Sequence, residues 1–146
     1  MRVTRDALIA WGERFGAAAR SPQVVAVSGP IGAGKTTLIQ AICRGYGVTE
    51  PVTSPTFTLV HEYLAGPPHA AARVHHLDLY RLDASPPGRS HADPLAPLGW
   101  DEIVHGDSLV LVEWPERAGA RLPEAHTAIR LSVVPGAADL RELISG

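Results

Sequence analysis

Gly29-Pro30-Ile31-Gly32-Ala33-Gly34-Lys35-Thr36-Thr37 is the stretch on which the reading of this chain turns. It fits the pattern G-x-x-x-x-G-K-[ST], with Gly29 and Gly34 at its ends and Lys35-Thr36 closing it. Val24-Val25-Ala26-Val27-Ser28 precedes it, an apolar, β-branched run long enough for one buried strand. After it, Thr37 to Gly45 carries apolar residues at helical spacing, and Gly45 reads as the helix C-cap. Strand, glycine loop and helix in that order turn a motif match into a candidate site.

The chemistry of such a loop follows from its geometry. Glycines let the chain curl until successive backbone N–H groups point inward at an anion, and the helix N-terminus adds about half a positive charge. Lys35 then reaches the β- and γ-phosphates, and the Thr36 hydroxyl sits on Mg²⁺. Of the 13 Lys and Arg residues, Lys35 is the only lysine. An arginine fork would fit poorly where a slim ammonium threads between phosphates. The motif therefore predicts a nucleoside-triphosphate site.

Outward from that loop, composition sets bounds. A chain of 146 residues is the size of one domain and can bury a core without metal or disulfide support. Net charge is −2 and the arginines are scattered, which argues against a broad nucleic-acid footprint, DNA included. The one cysteine, Cys43, falls on the apolar face of the helix and reads as a small core residue. Met1 to Gly16 carries charges throughout, unlike a signal peptide, and no run of about 18 apolar residues occurs. A cytoplasmic protein with no membrane partner is expected.

In chain order, residues 4–19 predict an amphipathic helix capped by Thr4, with Leu8, Ile9, Trp11, Phe15 and Ala19 on one face. Gly45 to Pro51 reads as a connector. Thr53-Ser54-Pro55-Thr56-Phe57-Thr58 is a hydroxyl-rich turn that either touches γ-phosphate and metal or caps only itself, and Leu59 to Tyr63 is strand-like. Val74 to Leu79 predicts a strand carrying Asp78. Within it, His75 and His76 face opposite sides and cannot easily share an ion. Asp83 to Pro97, rich in Pro, Ser and Gly, reads as a mobile surface loop. Leu98 to Val104 suggests a short helix, and Leu109-Val110-Leu111-Val112-Glu113 a buried strand ending in a carboxylate. Such an acid beside a phosphate loop holds Mg²⁺ directly or through water, a role shared here between Glu113 and Asp78. Ala128 to Val134 is a last clear strand, and Ala138 to Ile144 fits either a short helix or an edge strand.

Four pieces in this order resemble the TsaE (YjeE) family, small P-loop ATPases of bacterial threonylcarbamoyladenosine synthesis. They are Gly32-Ala33-Gly34-Lys35-Thr36-Thr37, Ser54-Pro55-Thr56-Phe57-Thr58-Leu59-Val60, Asp78-Leu79-Tyr80-Arg81-Leu82 and Leu111-Val112-Glu113-Trp114-Pro115-Glu116-Arg117. Leu122-Pro123 and Arg141-Glu142-Leu143 extend the resemblance over nearly the whole chain. It implies an α/β P-loop NTPase fold with a mixed, mostly parallel central sheet flanked by helices. It implies hydrolysis of ATP in a complex with TsaB and TsaD, which modify adenosine 37 of tRNA, the hydrolysis resetting the complex between rounds. By the same resemblance Ser54 to Thr58 acts like a switch loop and Trp114 is the aromatic beside the nucleotide. The stretch from Asp83 to Pro97 is longer and richer in proline than the family pattern, and Pro30-Ile31 replaces a polar residue at a position that presents backbone.

The expected site therefore comprises Gly29, Ile31, Gly32, Ala33, Gly34, Lys35, Thr36 and Thr37 around the phosphates, Thr56 or Thr58 sensing the γ-phosphate, and Trp114. Thr36, Asp78 and Glu113 hold the metal and orient water, with the division between the two acids left open. Two rival readings remain at this stage. One is a small P-loop kinase using Asp78 and Arg81 on an acceptor hydroxyl. The other is a nucleotide-gated binding module with negligible turnover. A GTPase is excluded, because its guanine-reading motif needs a second lysine.

Overall fold

The computed structural model describes residues 1–55, 57–82 and 93–146. Thr56 and most of the proline-rich stretch, including Arg89 and His91, lie outside the described residues. The elements are β1 (Arg2–Val3), α1 (Arg5–Ala18), β2 (Gln23–Ser28), α2 (Lys35–Tyr46), β3 (Val60–Leu64), β4 (Arg73–Asp78), α3 (Trp100–Val104), β5 (Leu109–Glu113), β6 (Thr127–Val134) and β7 (Ala137–Ser145). Short 3₁₀ turns lie at Ala96–Leu98, Pro115–Arg117 and Gly119–Arg121.

Seven strands form one sheet in the order β1-β7-β6-β2-β5-β4-β3. The four central strands β6, β2, β5 and β4 run parallel, while β7, β1 and β3 add antiparallel margins. Burial on both faces explains why β2 and β5 read as unbroken apolar runs. Along β5, Leu109 and Leu111 join a cluster with Leu38, Ile39 and Ile42 of α2, whereas Val110 and Val112 join one with Trp100 and Val104 of α3. The alternation of side chains along a strand thus builds two half-cores, one on each side of the sheet.

Helix α1 starts where its sequence predicts, with the Ala7 N–H donating to Thr4 Oγ1 at 3.2 Å. Trp11 and Phe15 stack with ring centroids 5.3 Å apart, half-buried against the larger half-core. Helix α2 corrects one expectation. Gly45 lies inside it, and the cap is Gly47 at φ +111°, so the connector begins there. The reason for a glycine at 45 is packing. A Cβ there would stand 2.0 Å from the Glu13 carbonyl oxygen of α1, and one on Gly16 would stand 2.0 Å from the Ile42 oxygen of α2. The two helices therefore cross backbone against backbone. Gly45→Ala must push them apart, a strain of about 2–3 kcal/mol, lowering Tm by roughly 5–10 °C. An unchanged melting curve would show that the crossing is loose.

Cys43 is fully buried among the apolar residues of α2, as its position on the helix implied. Burial pushes its thiol pKa up to about 12. The native protein should then resist alkylation at pH 8 and become reactive only in denaturant. Rapid labelling without denaturant would contradict this packing.

The segment left undecided between helix and strand is β7, paired antiparallel with β6 and with the two-residue β1, which the sequence did not signal. The last residues of the expected surface loop are structured. Leu95 is buried, Asp93 is bound by Arg121, and Ala96 opens a 3₁₀ turn. Among the described residues no helix is long and apolar enough to cross a membrane.

Candidate functional site

The glycine loop leaves the C-terminal end of β2 and enters α2 at Lys35. Gly29 is forced by close approach: its φ is +149°, and a Cβ would meet the Leu131 carbonyl oxygen of β6 at 2.4 Å. Gly32 and Gly34 also take left-handed φ values, +82° and +102°, which curl the loop before the helix. Lys35 is only 5% exposed, because its Nζ turns back to donate to the Gly29 oxygen at 2.6 Å and the Pro30 oxygen at 2.9 Å. The same ammonium stands 4.3 Å above the centroid of the Trp114 ring. Burial lowers its pKa, and the negative charges of Glu113, Asp78 and Glu116 oppose that shift.

An open pocket of about 450 Å³ lies in front of the loop. Ile31, Gly32, Gly34, Lys35, Thr36 and Thr37 line one side, and Asp78, Tyr80, Glu113 and Trp114 the other. The two acids arrive together because β4 and β5 are parallel and in register, with Asp78 directly opposite Glu113. Both sit at the C-terminal edge of the sheet, where ligands of open α/β folds bind. Their surroundings differ. Thr36 Oγ1 donates to Glu113 Oε1 at 3.4 Å. Asp78 instead accepts from Ser54 Oγ at 3.1 Å and from the Tyr80 N–H at 3.0 Å. The acid beside the loop hydroxyl is thus Glu113, while Asp78 is tied to the Ser/Thr segment.

Trp114 stands at φ +56°, a left-handed conformation that turns its indole over Lys35 and against Tyr80, ring centroids 4.9 Å apart. Thr58 is exposed, donates to the Val60 oxygen at 3.4 Å and does not line this pocket. Thr56, its partner in the expectation, lies outside the described residues. His75 and His76 do face opposite sides: His75 Nδ1 is 2.8 Å from Ser108 Oγ, and His76 Nε2 is 2.7 Å from Glu113 Oε2.

Two features escaped the linear reading. A second pocket of about 560 Å³ opens on the other side of the loop. It shares Gly32, Gly34 and Thr37 with the first, and adds Thr4, Arg5, Asp6 and Leu8 from the start of α1 and Ala138, Asp139 and Arg141 from the final hairpin. Arg141 also fastens the loop, donating from Nε to the Ala33 oxygen at 3.2 Å and from Nη2 to the Gly32 oxygen at 3.1 Å. Contacts across more than a hundred residues have no local signature. The Arg141-Glu142-Leu143 match pointed to this position without its role.

The donors near the loop are hard oxygens: the Thr36 hydroxyl and the Glu113 and Asp78 carboxylates. That set suits Mg²⁺, which takes one or two carboxylates and completes its shell with phosphates and water. No group of three or more His, Cys, Asp or Glu that could hold a metal ion occurs among the described residues.

The family model described as "Threonylcarbamoyl adenosine biosynthesis protein TsaE" matches residues 3–139. The tRNA threonylcarbamoyladenosine biosynthesis protein TsaE of Treponema pallidum is 33% identical over 124 residues, 85% of this chain and 83% of that protein. The protein so named in Bacillus subtilis is 35% identical over 111 residues, covering 76% of this chain. This chain spans 62% of that relative, a little under two thirds of its length. The crystal structure of YdiB from Bacillus subtilis superimposes with a TM-score of 0.75 at 28% identity, over 98% of this chain and 80% of YdiB.

Proposed function

This chain belongs to the TsaE family of tRNA threonylcarbamoyladenosine biosynthesis, and we propose that it acts there as a Mg²⁺-dependent ATPase partnered by TsaB and TsaD. Its hydrolysis resets their complex between rounds of modification of adenosine 37, and tRNA is reached through the complex, in the cytoplasm. One observation carries the ATPase reading. The lone lysine, the loop hydroxyl and two in-register carboxylates line a single pocket.

The phosphates occupy the 450 Å³ pocket, held by backbone N–H groups of residues 32–37 and by the Lys35 ammonium. The nucleoside occupies the neighbouring 560 Å³ pocket, where Leu8 and Ala138 offer apolar contact and Asp6 and Asp139 offer acceptors for ribose hydroxyls. Thr36 and Glu113 hold Mg²⁺, and Asp78 orients the attacking water. Bound there, the ion offsets charge that builds on the phosphate oxygens. The two hydrogen bonds that Asp78 accepts keep its carboxylate at the pocket wall and aim it without rearrangement. Ser54 is joined to that carboxylate, and a γ-phosphate beside Asp78 would bias this contact differently from ADP. Trp114 covers Lys35 and shields it from water. Arg81, on which a kinase would rely, lies 5.0 Å from the centroid of the Phe57 ring and does not line the pocket.

ATP labelled in its γ-phosphate tests this directly. Label should appear in inorganic phosphate, slowly with this chain alone and at least tenfold faster once TsaB and TsaD are added. Label in an organic acceptor would favour a kinase, and a rate that the partners leave unchanged would sink the partnership.

A further inference from the structure

The geometry points to His76 as a positioning residue that sets the direction of the Glu113 carboxylate. The inference deepens the reading of Glu113 as the metal-side acid and rests on it. His76 is completely buried, and among the described residues its Nδ1 has no hydrogen-bond partner. Among those residues its one polar contact is Nε2 to Glu113 Oε2, at 2.7 Å. With nothing beside Nδ1 to accept or donate, the ring proton belongs on Nε2, which donates to the carboxylate. Packing alone does not account for an imidazole here, since a leucine or phenylalanine would fill the same space without an orphaned nitrogen.

The strand register shows what the contact achieves. His76 and Asp78 share one face of β4, two residues apart, and Asp78 is opposite Glu113 while His76 is opposite Leu111. His76 therefore stands two pairs deeper in the sheet than the two acids. It takes one carboxylate oxygen of Glu113, and the other, Oε1, faces Thr36 at the pocket. A glutamate has several rotatable bonds, and a 3% exposed carboxylate without this donor would settle among rotamers instead of in one. His76 fixes the rotamer from behind, so that Oε1 is presented where Mg²⁺ is to be held. It touches neither nucleotide nor metal.

Three variants of the full chain separate this role from filling space. Gln carries its amide nitrogen as many bonds from Cβ as His carries Nε2, while the Asn nitrogen reaches only as far as Nδ1. His76→Leu removes the donor altogether. The first measurement is the gain in ATP affinity on adding Mg²⁺, by calorimetry with and without the ion. The second is kcat against KM for ATP. The third is the ¹⁵N spectrum of the imidazole in the metal-free protein.

His76→Leu and His76→Asn should lose most of the Mg²⁺-dependent gain and at least tenfold in kcat, with metal-free ATP affinity within twofold of the parent. His76→Gln should recover kcat to within about threefold, and the parent spectrum should show the proton on Nε2. Should His76→Leu fail to fold, the Gln and Asn pair carries the decision. Gln no better than Asn, an unaffected Leu variant, or a proton on Nδ1 would each overturn the inference. A parent chain that binds Mg²⁺-ATP without turnover would remove the hydrolase reading alone, because the Mg²⁺-dependent gain would still report on His76.

Discussion

Lys35→Ala is expected to lower ATP affinity by about 10- to 100-fold and to take hydrolysis below detection. The magnitude follows from losing one hydrogen bond to a charged phosphate oxygen, about 1.5–3 kcal/mol. The side chain also braces the loop in the free protein, through the Gly29 and Pro30 oxygens, so the variant loses shape as well as charge. Lys35→Arg is not a rescue. A planar guanidinium cannot turn back to two carbonyls and lie within 4.3 Å of the Trp114 ring in the same space. Calorimetric titration with ATP measures both variants. Binding within threefold of the parent would mean that the triphosphate settles elsewhere, and the assignment of the loop would fall with it.

Glu113→Gln should give the second large effect: kcat is expected to fall about a hundredfold while metal-free ATP affinity stays within a few fold. The substitution keeps volume and hydrogen-bonding reach, so the half-core beneath it is undisturbed, and it removes the charge that a cation needs. Two orders of magnitude is the scale expected when a positioned ionised group leaves a reacting centre. Asp78→Asn should also slow hydrolysis, yet it should leave the Mg²⁺-dependent gain in affinity near that of the parent, since Asp78 is tied to Ser54 and Tyr80 and not to Thr36. Equal loss of that gain in both variants would remove the division of labour. In cells, mass analysis of tRNA nucleosides decides whether turnover matters. Normal threonylcarbamoyladenosine with a turnover-dead Glu113→Gln chain would favour a nucleotide-gated binding module.

What could be read before the structure, and what could not, divides along the range of the interactions. Val24 to Ser28 and Leu109 to Glu113 were legible as strands because burial on both faces leaves no polar alternation to confuse them. Glu113 was legible as a candidate acid because it ends such a run, and Asp78 because a predicted strand carries it. Their different surroundings were not, since these depend on Thr36 and Ser54 arriving from other elements. His76 was seen only as half of a His-His pair, although its spacing two before Asp78 already put both on one strand face. Gly45 was taken for a cap because a glycine that allows two helices to touch looks the same in a sequence as one that ends a helix. The role of Arg141 was illegible for a related reason: the Ala33 oxygen that it holds lies 108 residues away.

The grip of Arg141 on the Gly32 and Ala33 oxygens has a kinetic consequence. A loop whose outward carbonyls are already engaged has little freedom left to lose when an anion arrives, so capture of nucleotide should approach the encounter limit without an ordering delay. On the proposed reading, whatever sets the tempo of a hydrolytic cycle then belongs to the opposite wall, where Ser54 donates to the Asp78 carboxylate. On that reading the loop is a receiver braced before binding, and a partner that alters the pace would act at the wall that carries Ser54 and Asp78.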